Sequence, residues 1–203
     1  MPKHSEPLYG LVFCGGQSSR MGHEKYMINY HGLPQGYYFY KMLAPLCDEV
    51  FLAINAVQSI QNHEPYKVLI DHSSYVNIGP MAALLSAFQK FPMASFVVVG
   101  CDYPFIDAKT LKKLIENRCD GTEAVCYFNR ETNFEEPLLA IYENSCLPKM
   151  LQNFEEGEYS LRHFLRTINT KKIIPESLEN LRSVDTKEQY KAALLKLKES
   201  SEN

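Results

Sequence analysis

Short apolar segments typical of buried strands alternate along this chain with segments that have the apolar spacing of helices. The strongest strand pattern is SFVVVGC at Ser95–Cys101, where β-branched residues follow one another without polar alternation, as in a central strand covered on both faces. Met81, Leu84, Leu85 and Phe88 have the i, i+3, i+4, i+7 spacing of an amphipathic helix. Alternation of this kind predicts a three-layer α/β fold with a mostly parallel central sheet.

The same patterns predict seven strands and five helices. The strands are expected at Leu8–Cys14, Val50–Asn55, Lys67–Ile70, Ser95–Cys101, Glu123–Phe128, Leu138–Tyr142 and Ile173–Ile174. The helices are expected over Tyr37–Leu46, after Gly79-Pro80, after a cap at Asp107, after a cap at Ser160, and after a cap at Asp185 or Thr186. A length of 203 residues predicts one domain over 1–203, with an ordered core of about residues 8–197.

Charge and composition exclude several classes of function. The formal net charge is −3, which argues against nucleic-acid binding and against binding to an anionic membrane, because both need a basic excess. No apolar run reaches the ~20 residues of a membrane span, and the first seven residues contain no apolar leader. The six cysteines have no metal-ligand spacing and are expected to be reduced and mostly buried. These features predict a cytoplasmic protein.

The segment directly after the first strand combines glycines with two cations. It reads GGQSSRMGHEK from Gly15 to Lys25. Glycines such as Gly15 and Gly16 permit a tight turn whose backbone N–H groups point at an anion, and Arg20 and Lys25 add positive charge. The pattern favours a polyphosphate site, and the alternative is a plain turn with solvated basic side chains. Neither G-x4-G-K-[ST] nor G-x-G-x-x-G occurs in the chain, so an ordinary P-loop enzyme and a nicotinamide dehydrogenase are both excluded.

Polar residues follow three further predicted strands. Asp102 comes directly after the central strand and is followed by Tyr103-Pro104. A carboxylate at this position either holds Mg²⁺, which prefers one or two carboxylates plus phosphate and water oxygens, or caps a turn. Asn55 ends a second strand and Asp71 directly follows a third, and each either contacts a nucleoside or stabilises a turn. Ligands of open α/β sheets bind at the carboxyl ends of the strands, so we expect these residues to share one site.

The residues around the Gly-rich segment resemble a known family. LVFCGGQSSRMGHEK at Leu11–Lys25 is similar to the L-A-G-G-x-S-x-R-M-G-x-D-K signature of the MobA-like nucleotidyltransferases. Later segments also resemble motifs of this family: Gly32–Pro34, Asp71 with Gly79–Leu84, Gly100–Pro104, Glu136–Tyr142, Ser160–Arg162 and Asp185–Glu188. The resemblance runs from about Leu8 to Leu197. It implies a three-layer Rossmann-like nucleotidyltransferase fold.

The resemblance also implies an activity: Mg²⁺-dependent transfer of GMP from GTP to the terminal phosphate of molybdopterin, with release of pyrophosphate. A protein that donates the cofactor is a further implied partner. By resemblance, Arg20, Lys25 and Asp102 are the catalytic residues, and Asp102 holds the Mg²⁺. The implied nucleotide-binding residues are Phe13, Cys14, Gly15, Gly16, Lys25, Asn55, Asp71 and Asp102.

The chain departs from the family pattern at several positions. Cys14 replaces Ala and Glu24 replaces Asp in the signature, Ala83 replaces a Gly, and Ser183 and Asp185 replace a late pair of Asn residues. The late pair lies at the active site in the family, so this change leaves the acceptor open. Two alternatives remain. The first keeps the enzyme class and changes the specificity, to a cytidylyltransferase for the same cofactor or a sugar-1-phosphate nucleotidyltransferase. The second is a nucleotide-binding regulator without catalysis.

Overall fold

The computed structural model describes residues 6–15, 24–55, 58 and 64–201. Within these residues it contains seven strands, namely β1 (Leu8–Phe13), β2 (Glu49–Ile54), β3 (Val68–Ile70), β4 (Ser95–Gly100), β5 (Ala124–Asn129), β6 (Phe134–Tyr142) and β7 (Thr170–Ile173). The α-helices are α1 (Gln35–Leu43), α2 (Met81–Lys90), α3 (Ala108–Glu116), α4 (Leu147–Glu155), α5 (Leu161–Thr167) and α6 (Lys187–Ser201). Short 3-10 helices lie at Lys25–Met27, Asn144–Cys146 and Leu178–Leu181.

The strands form one mixed sheet in the order β3-β2-β1-β4-β6-β5-β7. All neighbouring pairs are parallel except the two that involve β6, which runs antiparallel to both β4 and β5. This arrangement confirms the predicted α/β fold with a mostly parallel sheet. The antiparallel direction of β6 follows from its connection, because a four-residue turn from Arg130 to Asn133 joins β5 to β6 and only antiparallel neighbours can be joined so tightly.

Alternate residues of the central strands supply a separate core on each face of the sheet. On one face, Leu11 of β1 and Val98 of β4 pack with residues of α2, α4 and α5. On the other face, Val12 and Val97 pack with residues of α1 and α3. Every residue of β4 is buried, as the uninterrupted apolar pattern predicts for a strand covered on both sides.

Three helix starts follow the capping residues that the sequence indicates. The Asp107 carboxylate accepts a hydrogen bond from Thr110 N at 2.7 Å, and the Ser160 hydroxyl accepts one from His163 N at 3.2 Å. Before α6, Thr186 Oγ1 accepts from Gln189 N while Gln189 Oε1 accepts from Thr186 N. This reciprocal pair is a capping box, so Thr186, and not Asp185, caps α6.

Helix α4 was not predicted from the sequence. Its signal was present, because Leu147, Met150, Leu151 and Phe154 have helical spacing and Pro148 occupies the first turn. Strand β6 is also longer than predicted, since it begins at Phe134. Both differences lie in the second half of the chain, and the added residues of β6 include Glu136, which contacts Tyr103.

The strand order reverses direction at β1. The chain leaves β1 to form β2 and β3 on one side, and then returns to form β4 on the other side of β1. In open α/β sheets, the crevice at such a reversal, outside the carboxyl ends of the strands, is where ligands bind. The fold therefore directs attention to the ends of β1 and β4. Across the described ranges, no helix has both the length and the apolar character needed to cross a membrane.

Candidate active site

The predicted strand-end residues lie along one edge of the sheet. Phe13 is in register with Gly100 on one side and with Ala53 on the other. Cys14 and Cys101 therefore follow paired positions of adjacent strands. Ile54 is in register with Ile70, so Asn55 and Asp71 also follow a paired position. The structure thus brings Cys14, Asn55, Asp71 and the Cys101-Asp102 pair to the carboxyl edge of β1 to β4.

Lys25 lies between two carboxylates at this edge. Its ammonium nitrogen is 2.5 Å from Asp185 Oδ1 and 3.8 Å from Asp102 Oδ2. The Lys25 and Asp102 side chains are 25% and 20% exposed, so both are reachable from solvent but mostly covered. Asp185 approaches from the segment before α6, 160 positions along the chain from Lys25. One cation and two anions from three distant segments therefore meet at one point.

Close packing fixes the Asp102 side chain. A β-carbon at Gly100 would lie 2.6 Å from Asp102 Oδ1 and 3.2 Å from the β-carbon of Leu138, so a side chain at position 100 would displace the carboxylate. The Asp102 carbonyl accepts a hydrogen bond from Val184 N at 2.8 Å, which ties the segment carrying Asp185 to the end of β4. Burial raises the pKa of the Asp102 carboxyl, and the Lys25 ammonium opposes this shift.

Asp71 carries a buried carboxylate oxygen that has no hydrogen-bond partner among the described residues. Burial raises the pKa of Asp71 to about 6, because the ionised form loses solvation without a compensating charge. An acceptor oxygen left in this state is costly for the protein alone, and a ligand that donates N–H groups would satisfy it. Asn55 lies beside it at the end of β2, where its side-chain oxygen accepts from Gln58 N at 2.9 Å.

Gln58 joins three segments of the site and was missed by sequence reasoning. Its side-chain nitrogen donates to Cys14 O at 3.3 Å and to Glu24 Oε1 at 3.0 Å, while its oxygen accepts from Asn55 N at 3.2 Å. The only sequence signal is an amide three positions after Asn55, which is common in turns. This amide therefore connects the end of β1, the end of β2 and the residue that precedes Lys25.

A second polar group lies behind Asp102. The Tyr103 hydroxyl donates to Glu136 Oε2 at 2.9 Å, with both residues buried. Burial raises the pKa of Tyr103, and the charges of Asp102 and Glu136 add to this effect. Burial also raises the pKa of Glu136, and the Arg162 guanidinium opposes that shift. Tyr103 and Glu136 thus support the position of the turn that presents Asp102.

The remaining predicted residues differ in where they lie relative to the site. The Phe13 side chain is buried in the core on the α2 face, and the Cys14 thiol is buried in the core on the α1 face, so neither side chain reaches the surface of the site. Burial raises the pKa of the Cys101 thiol, with a further contribution from its hydrogen bond with Cys14. A β-carbon at Gly15 would lie 3.5 Å from Gln58 Oε1, in ordinary van der Waals contact. Gly16 and Arg20 lie outside the described residues.

Comparison with known proteins adds an independent line of support. Residues 10–174 match the MobA-like NTP transferase domain family. This chain belongs to that family. The match covers most of the chain and includes Phe13, Lys25, Asn55, Asp71 and Asp102, so the predicted family and the predicted class of enzyme, a nucleotidyltransferase, are confirmed. The matched region holds the strand edge described above, whereas Asp185 lies beyond it.

Individual relatives of this MobA-like protein differ in length. The chain is 33% identical to a molybdenum cofactor biosynthesis bifunctional protein of Synechocystis, over 91% of the chain but only 53% of that protein. The chain thus spans about half the length of this relative. A molybdenum cofactor guanylyltransferase of Pseudomonas putida is 25% identical, over 81% of the chain and 85% of that enzyme. The crystal structure of molybdopterin-guanine dinucleotide biosynthesis protein A from Archaeoglobus fulgidus has a TM-score of 0.78, with 20% identity, 94% of this chain covered and 99% of that one. This similarity confirms the fold.

Proposed function

We propose that this chain transfers GMP from GTP to the terminal phosphate of molybdopterin and releases pyrophosphate. The observation that carries the proposal is the position of Lys25 between Asp102 and Asp185, at the edge where β1 and β4 end. A partly buried ammonium at the reversal point of an α/β sheet is suited to hold an anionic polyphosphate. The guanylyltransferases among the relatives support this choice of reaction.

Asp71 supports guanine as the base. Guanine presents two adjacent N–H donors, N1–H and the N2 amino group, and a carboxylate can accept both. The unpartnered buried oxygen of Asp71 is an acceptor of this kind. Adenine, cytosine and uracil each present at most one donor beside an acceptor on the corresponding edge, so one carboxylate oxygen would remain unpaired or repelled. Unpaired polar groups in a buried site discriminate strongly between ligands.

The chemistry proposed needs no general base. The nucleophile is an oxygen of the acceptor phosphate, which is already anionic near neutral pH. This oxygen forms a bond to the α-phosphorus of GTP as the bond from the α-phosphorus to the bridging oxygen breaks, and that oxygen leaves with pyrophosphate. Catalysis of such a transfer consists mainly of positioning and charge neutralisation. We propose that Lys25 neutralises charge on the phosphates and that Arg20 assists it.

The oxygen donors at the site fit Mg²⁺. Asp102 and Asp185 converge on one cation, the Lys25 ammonium, and carboxylate oxygens are ligands that Mg²⁺ prefers together with phosphate and water. We propose that Asp102 holds the Mg²⁺ ion. Bound there, Mg²⁺ would neutralise phosphate charge and orient the reacting groups. In the described ranges no group of three or more His, Cys, Asp or Glu side chains is suited to a metal, as is usual for an ion that keeps water and phosphate ligands.

We also propose a cellular compartment, a domain organisation and a partner for this reaction. All six cysteines are free thiols, which supports a reducing compartment such as the cytoplasm. We propose that the 203 residues act as one catalytic domain, because all seven described strands belong to one sheet. A partner protein that hands over the molybdopterin substrate directly is also proposed, since a reactive cofactor gains from protected transfer.

Isothermal titration with GTP, CTP, UTP and ATP, each with Mg²⁺, tests the nucleotide part of the proposal. We expect one GTP to bind per chain, at least tenfold tighter than the other nucleotides. A preference for CTP would keep the mechanism but overturn the choice of guanine, and absence of binding by any nucleotide would overturn the proposed function.

A further inference from the structure

The side-chain amide of Gln58 makes three hydrogen bonds within the protein. Its nitrogen donates one hydrogen bond to Cys14 O at 3.3 Å and another to Glu24 Oε1 at 3.0 Å. Its oxygen accepts from Asn55 N at 3.2 Å. An amide has two N–H donors and one carbonyl oxygen, so both donors and the oxygen are engaged. The residue is half-buried, and water competes only in part for these contacts.

The orientation of the Gln58 amide follows from its partners. Cys14 O and Glu24 Oε1 are both acceptors, whereas Asn55 N is a donor. If the amide were turned around, its oxygen would face two acceptors and its nitrogen would face an N–H group. Only the orientation seen satisfies the three contacts. The backbone holds the residue in place as well, because Gln58 N donates to Asn55 O at 3.1 Å and to Asn55 Oδ1 at 2.9 Å.

The three side-chain partners of Gln58 lie at the ends of two strands and next to Lys25. Cys14 directly follows β1, Asn55 directly follows β2, and Glu24 directly precedes Lys25. Glu24 is the N-cap residue of the 3-10 helix that carries Lys25, and its carbonyl accepts from Met27 N at 3.0 Å. Its side chain is exposed. The Glu24 side chain also interacts with Tyr26 of the same 3-10 helix, and the Gln58 amide links it directly to the carbonyl of Cys14 at the end of β1.

We propose that Gln58 is a positioning residue that sets the place of Lys25 relative to the strand ends, by holding Glu24 against the end of β1. This inference rests on the proposed function, since Lys25 is the phosphate-binding residue in that proposal. Gln58 has no amide donor left to offer a nucleobase while these contacts persist. Its loss therefore affects the binding of phosphates and leaves base preference unchanged.

The sequence offers a matched set of variants. Gln58→Glu keeps the acceptor for Asn55 N, removes both donors and places a carboxylate against Glu24. Glu24→Gln combined with Gln58→Glu restores a donor and an acceptor between the two side chains with reversed direction. Glu24→Ala removes the same contact from its exposed partner, together with the interaction of Glu24 with Tyr26. Gln152→Glu is the control, because Gln152 Nε2 makes a similar contact with Glu156 Oε1 at 2.8 Å on the surface of α4.

Titration of each variant with GTP, CTP and guanosine tests the inference, and steady-state kinetics give KM and kcat separately. We expect Gln58→Glu and Glu24→Ala to weaken GTP binding and raise KM for GTP by about tenfold, the effect of losing a hydrogen bond to a charged group. The ratio of GTP to CTP affinity and the affinity for guanosine should stay as in the unmodified chain. The double variant should regain only part of the lost affinity, because residue 58 still lacks the donor to Cys14 O, and Gln152→Glu should match the unmodified chain.

Three results would overturn the inference while leaving the proposed function intact. GTP affinity unchanged in Glu24→Ala would show that the contact does not position Lys25. A changed ratio of GTP to CTP affinity in Gln58→Glu would mean that Gln58 contacts the base itself. A double variant as weak as Gln58→Glu would mean that the bond between the two side chains is not what matters. Failure of the unmodified chain to bind GTP would instead overturn the proposed function.

Discussion

The ammonium nitrogen of Lys25 lies 2.5 Å from Asp185 Oδ1, although 160 positions separate the two residues in the chain. Asp185 replaces an Asn of the late motif that this part of the chain resembles, so this ion pair comes from one of the departures of the chain from the family pattern. It brings the end of the Gly-rich segment, the end of β4 and the segment before α6 to one point. The charges at this point are expected to affect both the affinity for a nucleotide and the rate of transfer.

Replacing Lys25 by Ala should nearly abolish nucleotidyl transfer without unfolding the protein. The side chain is partly exposed and belongs to no core cluster, so the fold does not depend on it. Loss of one preorganised charge contact to a reacting phosphate lowers the rate by about 10²–10³. Pyrophosphate release measures the rate, and Lys112→Ala is the control, since that lysine is 64% exposed on α3. Turnover near that of the unmodified chain would remove Lys25 from the mechanism.

Asp185→Asn should strengthen the binding of metal-free GTP. In the unmodified chain the Asp185 carboxylate competes with phosphates for the Lys25 ammonium, and partly exposed ion pairs of this kind contribute about 0.2–1 kcal/mol. We therefore expect affinity for GTP in EDTA to rise by about two- to fivefold. The same substitution made in Lys25→Met should have no effect on this affinity. Weaker binding in Asp185→Asn would show that the carboxylate assists the nucleotide instead of competing with it.

GTP binding should weaken as the pH falls below about 6, the raised pKa of Asp71. Guanine N–H groups need the ionised carboxylate, so a bound proton must leave before GTP binds. In Asp71→Asn this step should be lost and the preference for GTP over CTP should fall. Because both proteins face the same titration of the GTP phosphates, the difference between their pH profiles isolates Asp71. Identical profiles would contradict the role of Asp71 in base recognition.

The raised pKa of Asp71 also predicts a trend in stability. The ordinary pKa of an aspartate is about 3.8, and the folded-state value is about 6, so the folded chain binds more protons than the unfolded chain between these values. Stability of the nucleotide-free protein should therefore fall as the pH rises through this window. Asp71→Asn should lack this component, which urea unfolding at several pH values measures. A pH trend equal in both proteins would mean that Asp71 titrates normally.

Arg118→Leu should destabilise the fold and leave the site unaltered. The Arg118 guanidinium donates two hydrogen bonds to Glu143, at 2.8 and 2.7 Å, and the two side chains are only 6% and 10% exposed. Ser95 Oγ also donates to Glu143 at 2.6 Å, at the start of β4 and far from Asp102. Removing Arg118 leaves a buried carboxylate without its cation, at a cost of about 3–5 kcal/mol. Urea unfolding measures this cost, and GTP affinity under folding conditions should be unchanged.

The sequence predicts the strand edge of the site well because local patterns determine it. The uninterrupted apolar run of β4 identifies a central strand, and the polar residues that follow each strand must then share one edge. Asp102, Asn55 and Asp71 were identified in this way, and the structure places them at the same edge of the sheet.

The contacts between distant segments could not be predicted in the same way. The ion pair of Lys25 with Asp185 and the hydrogen bonds of Gln58 depend on how separate segments approach each other in space. No spacing within a single element encodes such contacts. The sequence analysis gave no direction for β6, which the short turn after β5 sets, because only antiparallel neighbours can be joined so tightly.

The most direct test of the central claim is a transfer assay with GTP labelled at the α-phosphate, molybdopterin and Mg²⁺. We predict that label moves to molybdopterin in step with pyrophosphate release, and that Asp102→Ala lowers this rate by about 10²–10³. Pyrophosphate release without labelled molybdopterin, or transfer that persists in Asp102→Ala, would contradict the account.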